Sequence, residues 1–482
     1  MALKDDVTKI VGEGNVSDAK KDRLMYSRDY SLVPPGIPDA VAYPSDSLQV
    51  SAILKYCNSK NIPVVPVSSS RHFYGSTIPK QGGLLVDLTR MNKIQEINDA
   101  DRTARIEAGV TWGQLTAELE KKGMRMIMPL LPPADRSVLT DWLEREVPTN
   151  TVYDYGEPMQ AMEVVWPASE PFRIGSASVN GFPDSKSRGG NPSGPGLDFY
   201  RLVQGAQGTM GIVTWSHIKI EWMPKIDKIL FAPVSDLSYA IEFLHRILPR
   251  RIGQECMVLN NVDLAAILAE KWPDDFDRLA ATLPAWTLIL VISGLFRRPE
   301  EKIAYEEKFL KEVLRNEFRD LVLTDALPGF PGAARKLLPM LRKPWPADKP
   351  YWKHQWRGSS QSLFFIARPA SAPLFIDVVE EVAARHGYPI SEIGVYFQPI
   401  EHNRACQLEF TFFYHEDEAA VIAGLYRDAA QALMNEGAFF SRPYGELAPM
   451  VYERAAGYGA ALKRVKKVFD PKNIMNPGNL CF

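Results

Sequence analysis

An apolar run that empties into small polar residues most constrains this chain. Ile62-Pro63-Val64-Val65-Pro66-Val67 has the length and side chains of a short buried strand. It gives way at once to Ser68-Ser69-Ser70-Arg71-His72-Phe73-Tyr74-Gly75-Ser76-Thr77. Short side chains let backbone N–H groups approach an anion closely, and hydroxyls add donors, so the loop suits a pyrophosphate. A plain polar loop accounts for the same residues. The run is not a P-loop, which needs GxxxxGK[ST]. Nor is it a dinucleotide fingerprint, which needs GxGxxG after a strand.

The flanks alternate in period. Ser45-Asp46-Ser47 precedes Leu48, Val50, Ile53, Leu54 and Cys57 with no Gly or Pro over 45–60, which reads as a capped helix. Residues 83–88 and 104–110 read as strands and 112–122 as a helix, so the fold class expected is α+β. Residues 167–197 are rich in Gly, Pro and Ser and read as a long surface excursion. Met223-Pro224 is a plausible domain boundary. Beyond it a second α+β region is expected over 226–440. Its helices fall at 236–248, 300–317, 373–386 and 418–435, and its strands at 286–293 and 406–414. One amphipathic helix over 452–469 leads to the loop Met475-Asn476-Pro477-Gly478.

Composition narrows the function. Lys and Arg (56) nearly balance Asp and Glu (58), which argues against a protein that grips nucleic acid by charge. No apolar stretch is long enough to span a membrane. The first ten residues, MALKDDVTKI, lack the apolar core of a signal peptide. Cys57, Cys256, Cys406 and Cys481 lie far apart and form no CxxC pair. Neither a disulfide framework nor a metal site is expected, and a reduced cytoplasmic setting is the default.

Gly205-Ala206-Gln207-Gly208-Thr209-Met210-Gly211-Ile212-Val213-Thr214 is a second run that permits close approach to a flat or anionic ligand. A tight turn before a strand would explain it equally. In order, the serine-rich loop, the helix at 112–122, this glycine run and the terminal Asn476-Pro477-Gly478 resemble the vanillyl-alcohol oxidase/p-cresol methylhydroxylase superfamily of FAD enzymes. The resemblance covers most of the chain. It implies an FAD-binding domain in two pieces, 1–225 and 441–482, around a substrate cap at 226–440. It implies FAD contacts at Ser68, Ser69, Ser70, Arg71, His72, Gly75, Ser137, Val138, Gly208, Gly211, Ile212 and Val213.

A finer similarity is to the branch that oxidises 4-alkylphenols. The run Ser137 to Arg145, followed by Tyr153-Asp154-Tyr155-Gly156, looks like the segment holding that branch's active-site acid, which implies Glu144. Leu363-Phe364-Phe365 and Ile393-Gly394-Val395-Tyr396 resemble its cap. Arg442 falls where the branch binds the phenolate and Tyr74 where it has a phenol-binding tyrosine. Plainer roles are a surface pair for Glu144 with Arg145 or Arg136, and a loop pair for Arg442 with Glu446. Trp345, Trp352, Trp356, Phe364, Phe365, Tyr396 and Phe397 suit a flat aromatic substrate, and suit a core as well.

The departures are informative. The HxGDGxxH-type metal motif of the superfamily's glycolate and D-lactate dehydrogenases is absent, and His402 and His415 read as surface or strand-end residues. Ser362 stands where relatives attach FAD covalently, and a serine cannot readily form that link. His72 lies where another branch attaches FAD, and reads as a hydrogen-bonding loop residue. No cysteine sits in a matching loop, so a double attachment is not expected. Ser441 replaces a second phenol-binding tyrosine. The function expected is hydride removal from the benzylic carbon of a para-substituted phenol through a quinone methide. The alternatives are an FAD-linked 2-hydroxy-acid dehydrogenase and a flavoprotein subunit of an electron-transfer complex. A small aromatic substrate and a homo-oligomer are expected, and an electron-acceptor protein stays open as a partner.

Overall fold

Asp46 accepts a hydrogen bond from the Gln49 amide and opens helix Ser47–Lys60, which Asn61 closes in a left-handed conformation. Its buried side chains, Val50, Ile53, Leu54 and Cys57, pack on a small sheet of β1 (Val16–Ser17), β2 (Ala40–Ala42), β3 (Val64–Val67) and β4 (Leu84–Asp87). The order is β1-β2-β4-β3, and β2, β4 and β3 run parallel. The far end of the chain closes this unit. Val64 N donates to Ile474 O at 2.7 Å, and Asn476 N donates to Val64 O at 2.8 Å. In this computed structural model the described residues are 2–151, 158–167, 169–179 and 190–482.

A second sheet follows, antiparallel, with order β5-β6-β10-β8-β9. Its members are β5 (Ile94–Asn98), β6 (Thr103–Glu107), β8 (Met159–Val165), β9 (Phe172–Ile174) and β10 (Ile212–Lys219), and a separate ribbon pairs β7 (Met124–Arg125) with β11 (Glu221–Trp222). Helix Trp112–Glu120, capped by Thr111 in a reciprocal capping box, buries Trp112, Leu115 and Leu119 in the cluster beside this sheet. The expected surface excursion at 167–197 is corrected in its described part. Phe172–Ile174 pairs with β8 and leads into a 3-10 turn at Gly175–Ser178, because Ile174 has a place in the apolar cluster.

The third sheet is antiparallel and six-stranded: β12 (Ile226–Val234), β13 (Glu255–Asn260), β14 (Trp286–Gly294), β15 (Ser359–Ala367), β16 (Ile393–Ile400) and β17 (Ala405–Tyr414), in the order β12-β14-β13-β16-β17-β15. Strand alternation splits its side chains. Leu363, Phe365, Val395, Phe397, Leu408, Phe410 and Phe412 join one core with helices Leu237–Ile247, Pro299–Glu317, Ala372–Arg385 and Ala419–Asn435. Ser362, Phe364, Tyr396, Gln407 and Glu409 fall on the opposite face.

The terminal helix expected over 452–469 is two helices, Leu447–Arg454 and Ala456–Phe469, broken where Ala455 leaves helical geometry at ψ 41°. The four cysteines are free thiols. No helix of the described residues is long and apolar enough to cross a membrane. His402 and His415 follow the ends of β16 and β17.

Candidate active site

The two small-residue runs meet across a cleft. Ser68, His72, Ser76 and Thr77 form one wall, Gly208, Gly211, Ile212 and Val213 another, and Leu139, Thr140, Leu143 and Glu144 lie between. Helix Val138–Leu143 is placed by Ser137, whose hydroxyl accepts from Thr140 N at 3.2 Å and donates to Ala108 O at 2.6 Å. Asn476 ties the tail to both runs, donating to Ser76 O and Gln207 O at 2.7 Å each.

The cleft has the features of a cofactor cradle. Gly208 has φ +71°, and a Cβ on it would stand 2.6 Å from Pro66. Gly211 has φ +118°, and a Cβ would stand 2.8 Å from Trp166. Ser69 Oγ and His72 Nδ1 are buried with no hydrogen-bond partner among the described residues, which suits groups held for a ligand. His72 Nε2 meets Ser69 O at 2.7 Å, and burial, aided by the Arg136 charge, pushes the imidazole down to about 3, so it is neutral.

Other expected contacts have further duties. Ser70 is exposed. Arg71 pairs with Asp135 at 2.9 Å. Gly75 N donates to Asp29 at 2.6 Å. Ser137 is the helix cap, and Val138 belongs to the core.

Beyond Glu144 the cleft meets an acid–arginine cluster. Arg145 takes a left-handed φ of 59°, and the carboxylate oxygens of Asp141, Glu144 and Glu146 lie within 4.8 Å of one another. Arg136 ion-pairs with both Asp141 and Glu144, and Trp112 Nε1 donates to Asp141 at 2.7 Å. Arg442 Nη1 meets Glu146 Oε1 at 2.9 Å, and its Nη2 donates to Gln407 at 3.1 Å. Tyr74 Oη donates to Glu146 Oε1 at 2.6 Å. The carboxylates are thus engaged by arginines and neutral donors.

Burial raises Glu144 to about 7 against the pull of Arg136. Burial would also raise Glu146, but Arg442 and the Tyr74 hydroxyl outweigh it and hold that carboxyl below its ordinary range. Of the plainer pairings, Glu144 does meet Arg136, but in the interior. Arg442 does not use Glu446, which pairs instead with Arg427 at 3.1 Å.

An inner pocket opens on this cluster. It is lined by Tyr74, Arg136, Glu146 and Phe73, by Tyr351 and Lys353, and by Tyr396, Gln407 and Glu409 of the third sheet. Lys353 Nζ pairs with Glu409 and donates to Ser362 Oγ at 3.0 Å. Phe364 lies under the Arg442 guanidinium, its ring centre 4.0 Å away. Tyr444 stacks on Tyr74 with centroids 4.7 Å apart.

Sequence reasoning missed Tyr444, three residues past the Ser441 thought to leave a tyrosine vacant. It also missed Lys353 and Glu409 as pocket residues, which lie beside no motif, whereas Glu146 directly follows the run Ser137 to Arg145. Tyr153, Asp154, Tyr155 and Gly156 lie outside the described residues.

Comparison with known proteins gives these features a class. Residues 38–133 match an FAD binding domain, and residues 448–480 match the C-terminal domain of FAD linked oxidases. Glycolate oxidase subunit GlcD of Bacillus subtilis is 23% identical over 99% of this chain and 96% of its own length. The 4-cresol dehydrogenase [hydroxylating] flavoprotein subunit of Pseudomonas putida is 22% identical over 97% and 93%.

Two solved structures share the fold. p-Cresol methylhydroxylase with substrate bound superposes with a TM-score of 0.84 at 19% identity, covering 100% of this chain and 96% of the other. 4-Ethylphenol oxidase from Gulosibacter chungangensis gives 0.83 at 18%, covering 99% and 96%. The protein is an FAD-linked oxidoreductase. Its fold is that of p-cresol methylhydroxylase and 4-ethylphenol oxidase, and its two matched segments are those of FAD-linked oxidases.

Acid denaturation is expected to release the flavin. Ser362 offers no imidazole or phenol to form a covalent link, and it lines an outer groove with Tyr426 and Tyr444 rather than the cleft. Flavin in the supernatant after precipitation is the check. A flavin-bearing peptide containing Ser362 would contradict the expectation, and one containing His72 would locate a link there.

Proposed function

We propose that the enzyme takes a hydride from the benzylic carbon of a para-substituted phenol. The observation that carries this reading is the charge pattern of the inner pocket. Arg136, Arg442 and Lys353 are each already paired with a carboxylate. A substrate with a permanent carboxylate would bring one more buried negative charge with no cation left for it among the described residues of the pocket. A phenol enters neutral. The aromatic surroundings of Arg442, with Phe364, Tyr74 and Tyr444, suit a flat ring.

The bound flavin supplies hydride acceptance. The residues of the chain prepare the substrate for that loss. An unperturbed phenol has a pKa of about 10 and is poorly reactive while neutral. The fixed charge of Arg442 and the Tyr74 hydroxyl favour the phenolate at its oxygen. The phenolate pushes electrons toward the benzylic carbon, and the substrate becomes a quinone methide. Glu144, at the end of the cleft, stabilises the electron-poor carbon and takes a proton from the water that adds to it. A carboxyl raised to about 7 suits that exchange near neutral pH.

A 2-hydroxy-acid substrate is the second reading. It is favoured by relatives such as the glycolate oxidase subunit above and a D-2-hydroxyglutarate dehydrogenase of Stutzerimonas stutzeri, 23% identical over 99% of this chain. One experiment separates the two. Purified FAD-loaded protein is mixed without air with 4-alkylphenols, lactate and glycolate in turn. Bleaching by the phenols alone is expected, and bleaching by the hydroxy acids alone would overturn the phenol reading. Admitting air afterwards tells oxygen from a quinone or protein acceptor.

A further inference from the structure

We propose that Glu146 is the proton acceptor for the substrate's phenol group, taking the proton through the hydroxyl of Tyr74. The inference rests on the phenol reading and adds the step that makes the phenolate. Tyr74 Oη donates to Glu146 Oε1 at 2.6 Å, and Arg442 Nη1 meets the same oxygen at 2.9 Å. Glu146 therefore stands between the hydroxyl and the cation that a phenolate needs. While it is ionised, Arg442 is already neutralised.

The other charges facing this point are engaged too. Arg136 holds Asp141 and Glu144, and Lys353 holds Glu409. Tyr351 and Tyr396 face the same space as neutral hydroxyls, burial holding both above their ordinary range. A phenolate arriving as an anion would add an uncompensated buried charge, whereas a neutral phenol adds none.

The transfer balances. The substrate O–H bond breaks and its proton joins Tyr74 Oη while the proton of Tyr74 passes to Glu146. The substrate becomes a phenolate, Tyr74 ends neutral and Glu146 ends as a carboxylic acid. The net charge of the pocket is unchanged. Arg442 is freed from its carboxylate, and its guanidinium turns to the phenolate oxygen.

The test uses 4-nitrophenol, which has no benzylic hydrogen and turns yellow on ionising. It is titrated into FAD-loaded protein in weak buffer, below the probe's own pKa. Wild type should bind it as the yellow anion, release almost no proton to solvent, and hold an affinity that scarcely changes with pH. Glu146→Gln keeps the shape and an acceptor for Tyr74 but cannot take the proton. The bound probe should still ionise beside Arg442, now with about one proton released per probe and affinity falling about tenfold per pH unit on acidification.

A wild type that releases about one proton overturns the proposal, as does a glutamine variant that releases none. If Glu146→Gln does not fold, the wild-type count alone decides. In Tyr74→Phe the acceptor stays and the relay is gone, so the bound probe should stay colourless where wild type turns it yellow. A yellow complex there overturns the route through Tyr74. Should the probe fail to bind and alkylphenols fail to bleach the flavin, the phenol reading itself falls. If alkylphenols bleach the flavin but the proton counts are reversed, only the role of Glu146 falls.

Discussion

Glu144→Gln is expected to slow anaerobic flavin reduction by roughly 10²–10⁴-fold, the usual scale for an acid–base group, while leaving FAD bound. The glutamine keeps the shape and removes the charge. The fold should tolerate it, because Arg136 retains Asp141 as a partner and is not left as a lone buried cation. Hydride loss makes the benzylic carbon electron-poor, and a fixed carboxylate in a desolvated cleft lowers that barrier.

The pH dependence gives a second signature. Burial lifts Glu144 from 4.5 to about 7, so the group is mostly protonated in mild acid and ionised in mild base. A step that uses the carboxylate therefore speeds up as pH rises through about 7, and Glu144→Gln should lose that limb. Rapid-mixing reduction across this range is the check. A variant that matches wild type would move the role to Asp141 or Glu146.

Arg442→Ala is the other large effect, expected to lower flavin reduction by a factor on the order of 10² or more. That follows from losing a charge-assisted hydrogen bond to a desolvated anion, worth roughly 2–5 kcal/mol. The structure adds a stability cost. With Arg442 gone, Glu146 is left buried without its cation, a situation that destabilises by about 3–5 kcal/mol.

The double variant Arg442→Ala/Glu146→Gln separates the two effects. It removes both charges, so it should recover much of the denaturation midpoint and none of the rate. Near-normal reduction by the single variant would take Arg442 out of the site. An unchanged midpoint would mean that Glu146 is solvated or neutral without it.

The sequence by itself determined much of the local structure. The Asp46 cap, the apolar period of 47–60 and the run 62–67 dictate a helix and a strand from neighbours only, and both form within a residue or two of the expected limits. The small residues at 68–77 and 205–211 are legible for the same reason. A missing side chain is a local property, and where Gly208 meets Pro66 it is the whole explanation.

Tertiary structure decided what the site is made of. Alternation in 405–414 predicts two faces, but not that Gln407 and Glu409 would face a pocket while Leu408 and Phe410 fill a core. Which face meets water, ligand or helix depends on what packs there. Arg442 and Glu146 are 296 residues apart, and only the return of the chain past the third sheet brings them to 2.9 Å. Tyr74, Lys353 and Glu409 join them in the same way. The break at Ala455 went unread although Gly457 and Gly459, poor helix formers, stand just beyond it. Partners chosen by long-range packing leave no mark in local spacing, and the charge balance of the pocket is a sum over such partners.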